Sequence, residues 1–266
     1  KAYRAWEIFT LLPDLACLGK DAPAAIPDST LSQTYYNMGI FAFQADMKPE
    51  ALKAFMKAAD HGQGEVAYDN ALAMAAELED LDAMEKIAND GFNKYGKQNY
   101  IGTLVSIYVK KGDYNKALEI INNAIAQNPQ NSVLHNVKGV LIESTTGNEG
   151  MSAEEIAKAN EEAAALYKQA VELDGENAEA RYNYGRLLAN KAYKLSDDAV
   201  DLSNQEYDAL VQNQINPLFK AAAEQLEKSI AINPEANRQA FTILKNIYYN
   251  LKDDVNMNRI ADLELQ

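Results

Sequence analysis

Apolar residues recur with a helical period along almost the whole chain, and the pattern is plainest between 101 and 129. Ile101, Leu104, Val105 and Tyr108 fall at i, i+3, i+4 and i+7; Ala117, Ile121, Ala124 and Ile125 fall at i, i+4, i+7 and i+8. Each set lines one face of a 3.6-residue helix. The two helices meet at Gly112-Asp113. Asn128-Pro129 ends the second, because proline cannot continue a helix and biases the residue before it away from helical conformation. Small and large side chains alternate on both faces, so the helices can pack closely. The pattern recurs: Tyr35-x2-Met38-Gly39-x2-Ala42 is followed by Ala51-x3-Phe55-x2-Ala58, and Gly39 to Phe55 spans the same interval as Val105 to Ile121. Gly39, Leu72, Val105 and Gly139 follow one another at a nearly constant step. This regular step predicts an all-α chain of repeated helix pairs.

Taken in order, Ala2-x3-Trp6-x2-Phe9 reads as the second helix of a truncated first pair, with Pro13 after it. Gly19 to Asp28 reads as a loop, and Asp28 or Ser29 as the cap of the next helix. Lys48-Pro49 makes a turn, with Pro49 suited to a first helical position. Tyr68, Ala71, Leu72 and Ala75 mark one helix, and Met84, Ala88 and Gly91 its partner. Gly139 to Tyr167 exceeds the usual interval by about three helical turns of chain, an insertion that includes the polar run Thr145 to Gly150. Ser152-x-x-Glu155 then reads as a capping box opening a helix to Leu173. Gly185 to Leu226 exceeds it by about seven turns, a second and longer insertion. Here the first helix is expected to run past Tyr193 and break at Asp197-Asp198. Ser203-x-x-Glu206 caps a new piece, and Asn216-Pro217 starts the second helix. A helix with Leu244 and Tyr248, then one from Val255 to Leu265, closes the chain.

Residues 101–129 resemble a tetratricopeptide repeat (TPR), a helix–turn–helix unit of about 34 residues with the pattern W-x2-L-G-x2-Y…A-x3-F…P. Ile101, Leu104, Val105 and Tyr108 stand at its first four marked positions, and Ala117, Ile121 and Pro129 at its last three. The resemblance implies a right-handed superhelical solenoid with two helical insertions. Its expected extent is one array over 1–266, with units near 1–14, 32–64, 65–97, 98–131, 132–177, 178–237 and 238–266. A polar last helix is expected, since a solenoid must cover its own core at its end.

Composition narrows the function. The net charge of −14 argues against a nucleic-acid backbone or an anionic membrane surface as the main partner. No apolar run reaches the length of a membrane span. A single cysteine, Cys17, excludes an internal disulfide and is expected to serve packing. The two histidines lie in no zinc motif: His135 takes an aromatic core position, and His61 is expected in a solvated turn. Asp174-Gly175-Glu176-Asn177 lacks the alternating acids of a calcium loop. No phosphate-binding glycine loop and no nucleophile motif occurs. The expectation is therefore no enzyme, no cofactor and no metal.

In TPR arrays the first helix of each pair lines a concave groove. Carried over by spacing, the groove residues are Tyr36 and Phe43 in the second unit, Asn99 and Lys110 in the fourth, and Asn136 in the fifth. The sixth supplies Tyr182, Arg186 and Asn190, and the last Asn246 and Tyr249. Val133, Val140 and Glu143 fall on the same stripe as Asn136. Amides and phenols of this kind hydrogen-bond to peptide backbones and to sugar hydroxyls alike. The resemblance implies a scaffold that holds a protein or peptide segment, with a glycan-binding accessory of the cell envelope as the alternative. The Lys and Asn pairing that clamps a chain-terminal carboxylate in chaperone-binding members is not reproduced. The Asn216-Pro217-Leu218-Phe219 start and the Leu244-Lys245-Asn246-Ile247-Tyr248-Tyr249 run also resemble exported multi-repeat TPR proteins of Gram-negative gut bacteria. That implies a periplasmic or envelope-associated location, with the cytoplasm as the alternative. A chain starting at Lys1 fits a removed signal peptide or a truncation equally.

Overall fold

The computed structural model describes residues 2–21, 23–146, 150–235 and 237–265, with the side chains of Ala2, Ala16, Cys17 and Gln98 outside that description. The packing role expected of Cys17 and the centre of the 145–150 run therefore lie outside the described residues. The rest is helix and turn. The chain divides into two compact units, 1–113 and 114–266.

In the first unit, α1 (Ala2–Leu11) is followed by short 3-10 turns at 12–14 and 16–21, so the expected loop is partly coiled. Then come α2 (Asp28–Gln44), α3 (Lys48–Asp60), α4 (Glu65–Glu77), α5 (Leu81–Tyr95) and α6 (Gln98–Lys110). Helices α2 and α3 pack together, as do α4 and α5, and α3 and α5 each pack on the next first helix. The core is small and aromatic: Met38, Ala42, Phe55, Ala71, Ala88, Tyr100 and Leu104 are all buried. The stops of α2, α4 and α6 share one geometry. Asp46, Glu79 and Gly112 all take left-handed φ, at 55°, 54° and 74°. The next residue's N–H bonds back to the last turn of the helix: Met47 to Ala42 O, Asp80 to Ala75 O and Asp113 to Tyr108 O. This is the glycine-type helix stop, here built twice without glycine.

The second unit holds α7 (Tyr114–Gln127), α8 (Ser132–Thr145), α9 (Ala153–Leu173), α10 (Ala178–Asp197), α11 (Asn204–Leu210), α12 (Asn216–Ile232), α13 (Gln239–Asn250) and α14 (Asp254–Glu264). The pairs are α8 with α9, α10 with α12, and α13 with α14. Both predicted capping boxes form, at Ser152/Glu155 and Ser203/Glu206. Glycine and aromatic or leucine positions interlock across the insertions. A methyl group at Gly139 would stand 2.5 Å from the Tyr167 ring, and one at Gly185 would stand 2.8 Å from Leu226, as at Gly39 against Phe55 in the first unit. The insertions thus lengthen the helices and connections without displacing the contact that defines each pair. Lys252 repeats the left-handed turn, with Asp253 N–H on Tyr248 O.

Two expectations need correction. Asp28 is the first residue of α2, not its cap, and Pro27 precedes it without a side-chain bond. Its carboxylate is drawn instead to His61, whose Nδ1 lies 2.8 Å away, and the His61 ring stacks on Tyr35 at 5.4 Å. His61 lies in the turn after α3 with its side chain about 30% exposed, as its spacing suggested, and it also tethers that turn to α2. Asn216-Pro217 does not start a helix afresh. α11 runs into α12 through a π-helical turn, Val211–Ile215, in which Asn216 N–H reaches Val211 O. Proline has no N–H to give, so a register shift just before Pro217 lets the helix continue through it.

Candidate functional site

Within the second unit the first helices α8, α10 and α13 stand side by side, and their facing edges are stitched by polar bonds. Asn183 Nδ2 donates to Asn136 Oδ1 at 3.0 Å between α10 and α8. Arg186 grips Glu143 with two parallel bonds of 2.7 and 2.6 Å. Tyr182 Oη donates to Gln239 Oε1 at 2.9 Å, joining α10 to α13. Tyr167, on α9, adds its phenol to Glu143 Oε2 at 2.9 Å. One carboxylate thus accepts from two helices besides its own. Burial pushes the Tyr167 phenol above its ordinary value, and the Glu143 charge pushes it the same way. Burial pulls the Arg186 guanidinium down, but the bonds and charge of Glu143 more than offset that and raise it.

Outside these ties, several side chains of the same helices are exposed. Val133 and Val140 on α8 are 47% and 43% exposed, and Tyr249 on α13 is 72% exposed. Asn190 on α10 and Thr242 and Asn246 on α13 are exposed as well. Asn136, 1% exposed, is enclosed between α8 and α10. The residues predicted for this face therefore divide. Asn136, Tyr182 and Arg186 are engaged with neighbouring helices, whereas Asn190, Asn246 and Tyr249 face solvent.

The first unit repeats the scheme. Asn70 Nδ2 on α4 donates to Tyr36 Oη on α2 at 3.0 Å, and Tyr100 Oη on α6 donates to Asp69 Oδ1 on α4 at 2.9 Å. The Tyr36 ring also rests against Phe55, with centroids 5.6 Å apart. Phe43 is 47% exposed at the end of α2. Asn99 and Lys110 are exposed at opposite ends of α6. The groove expectation included no residue of 65–97, yet Val66 is 44% exposed and Asp69 and Asn70 form ties on this face. The signal was present: the step that carries Gly39 to Leu72 also carries Gln33 to Val66 and Tyr36 to Asp69.

Further polar contacts link the second helix of one pair to the first helix of the next. Tyr108 Oη on α6 donates to Glu85 Oε1 on α5 at 2.5 Å, and Lys111 Nζ reaches Glu85 and Asp82 at 2.7 and 2.8 Å. In the second unit Tyr248 on α13 donates to Glu227 on α12, and Arg259, on the following second helix α14, donates to the same carboxylate. The Lys111 bond, then the Tyr108 bond, hold Glu85 below the usual carboxylate range. His135 is 5% exposed, its Nε2 bonded to Pro129 O at 2.8 Å, in the core position its spacing gave it. Among the described residues no three His, Cys, Asp or Glu side chains gather as a metal site, and no helix is long and apolar enough to cross a membrane.

No protein-family model matches this chain, and no curated protein matches it significantly. Solved structures do. PilF of Pseudomonas aeruginosa is similar at 10% identity, over 88% of this chain and 90% of that one, with a TM-score of 0.53. TTC0263, a thermophilic TPR protein of Thermus thermophilus, is similar at 14% identity over 76% and 90%, with a TM-score of 0.51. YrrB, described as a TPR protein with an unusual peptide-binding site, aligns at 20% identity over 76% and 86%, with a TM-score of 0.38. At these identities the likeness to the first two establishes the fold.

Proposed function

We propose that this chain, a helical repeat protein with the tetratricopeptide fold, is a non-enzymatic scaffold that holds a peptide segment or partner protein on the row of first helices. The observation that carries this reading is the division of labour on α8, α10 and α13. Asn183, Arg186 and Tyr182 are turned sideways into bonds that fix the spacing of the helices. Val133, Val140, Asn190, Asn246 and Tyr249 are left presented on that rigid frame. Exposed aliphatic, amide and phenol groups supply the apolar contact and the paired donors and acceptors that a polypeptide backbone needs. A fold alone does not name a partner; the chemistry of these side chains selects one.

The experiment is affinity capture from an extract of the source cells, with the wild type beside an Asn190→Ala/Asn246→Ala/Tyr249→Ala variant. None of the three substituted side chains is buried, so both proteins should be equally helical by circular dichroism. A protein retained by the wild type and lost from the variant is the expected result. Equal retention by both would move the binding surface to other helices.

A further inference from the structure

We infer that the row on α8, α10 and α13 takes an uncharged, extended internal segment of a polypeptide and not a chain-terminal carboxylate or an acidic motif. The inference rests on the scaffold reading above and names the partner's chemistry. The only cation at a groove position of these three helices is Arg186. Its guanidinium is already filled by a carboxylate of the protein itself, with Glu143 making the paired contact at 2.7 and 2.6 Å that an incoming carboxylate would make. The pair is only about a quarter and a fifth exposed, and Glu143 is further held by Tyr167. An incoming anion would have to displace Glu143 and leave its largely buried carboxylate without a counter-charge, which is costly. It would also approach a chain whose net charge is −14.

What remains exposed on the row is neutral apart from Glu179, in the first turn of α10: the aliphatic pair Val133 and Val140, the amides Asn190 and Asn246, the hydroxyl of Thr242 and the Tyr249 ring. Asparagine amides offer donor and acceptor together and suit the alternating N–H and C=O groups of an extended backbone. The two valines, at i and i+7 on α8, offer contact to aliphatic side chains of the segment. With its one cation already paired, the row offers nothing to an acidic segment, and its exposed amides and aliphatic groups match a neutral, backbone-presenting one.

The test uses two display libraries of random dodecapeptides, one with free C-termini and one with C-termini blocked inside a longer chain, selected on the intact protein. Enriched sequences are then synthesised as free acids and as amides, and their affinities measured for the wild type, Glu143→Gln and Arg186→Gln. The inference expects peptides poor in Asp and Glu from both libraries, with acid and amide forms bound within about twofold. It also expects Glu143→Gln, which removes the negative charge facing Arg186, to favour the acid form by roughly tenfold, the scale of one charge-assisted bond. Wild-type preference for free acids by tenfold, abolished in Arg186→Gln, would overturn the inference and leave the scaffold reading standing. Enrichment of Lys- and Arg-rich sequences would overturn it as well. Enrichment from neither library would overturn both readings at once.

Discussion

At the scale of single residues, the contacts that matter most are those where a side chain is missing. Gly139 lies under the Tyr167 ring, which is fully buried and pinned at its hydroxyl by Glu143. An alanine there gains about 1 kcal/mol of helix propensity but forces a ring that cannot move aside, and overpacking of that kind costs about 1–3 kcal/mol. Gly139→Ala should therefore destabilise the second unit on balance, read as a lower denaturant midpoint at unchanged slope. The Glu143–Arg186 pair makes a second residue-scale prediction. Removing either partner leaves the other, largely buried, without its counter-charge, so Glu143→Ala and Arg186→Ala should each cost about 1–3 kcal/mol, less than a fully buried pair would. The double variant should cost clearly less than the two single losses together, and a double-mutant cycle measures the coupling. The Gly139–Tyr167 contact was legible in the sequence because its residue types survive the insertion between them. The Arg186–Glu143 pair was not. Spacing places both on the row but cannot say whether a charged side chain faces solvent or its neighbour.

At the scale of elements, the repeated helix stop is the part the sequence hid. Gly112 advertises the left-handed turn, whereas Asp46 and Glu79 take the same conformation two repeats and one repeat earlier without a glycine to mark it. A non-glycine residue there costs about 1–2 kcal/mol of local strain. Glu79→Gly should thus be neutral to stabilising, by up to about 1 kcal/mol once the added chain entropy is counted, in a thermal melt. Helix starts were easier to see, because a capping box is a chemical pattern confined to one short stretch. Ser152 and Ser203 each accept from a backbone N–H, and Glu155 and Glu206 reach back to complete the box. Ser203→Ala should cost about 1 kcal/mol, felt as faster amide exchange in the first turn of α11, whose far end is held by its continuity with α12. The junction at Pro217 was misread from sequence for a physical reason: proline normally signals a start, and only the π-helical turn before it allows continuity.

At the scale of the whole molecule, the acidic composition becomes a pH profile. Lys111 and Tyr108 lower Glu85, Lys111 lowers Asp82, Lys228 lowers Glu224, and the cap bonds lower Glu155, Glu206 and Asp253. A carboxylate whose folded value lies below its unfolded one stabilises the fold fully above the unfolded value, about 4, and loses that contribution as pH falls through the folded value. Tyr100, Tyr167 and Tyr248 are shifted the other way, raised first by burial and then by their carboxylate partners. Their contribution is full below the unfolded value, about 10, and is lost as pH rises through the folded ones. The melting temperature should therefore be flat between about pH 5 and 9 and fall on both sides. Ultraviolet titration should find a class of tyrosines ionising well above the ordinary range. The helix-pair fold was readable at this scale because the constant step between repeats fixes which faces are buried. The identity of the partner was not, because a segment that binds by its backbone leaves little specific chemistry in the surface that receives it.

The most direct measurement places a photo-crosslinking amino acid at Asn190, on the exposed row, and in a second protein at Lys168, on α9, and exposes each to source-cell extract under light. The account predicts a discrete crosslinked partner from position 190 and none from 168. A partner captured from 168 and not from 190 would contradict it.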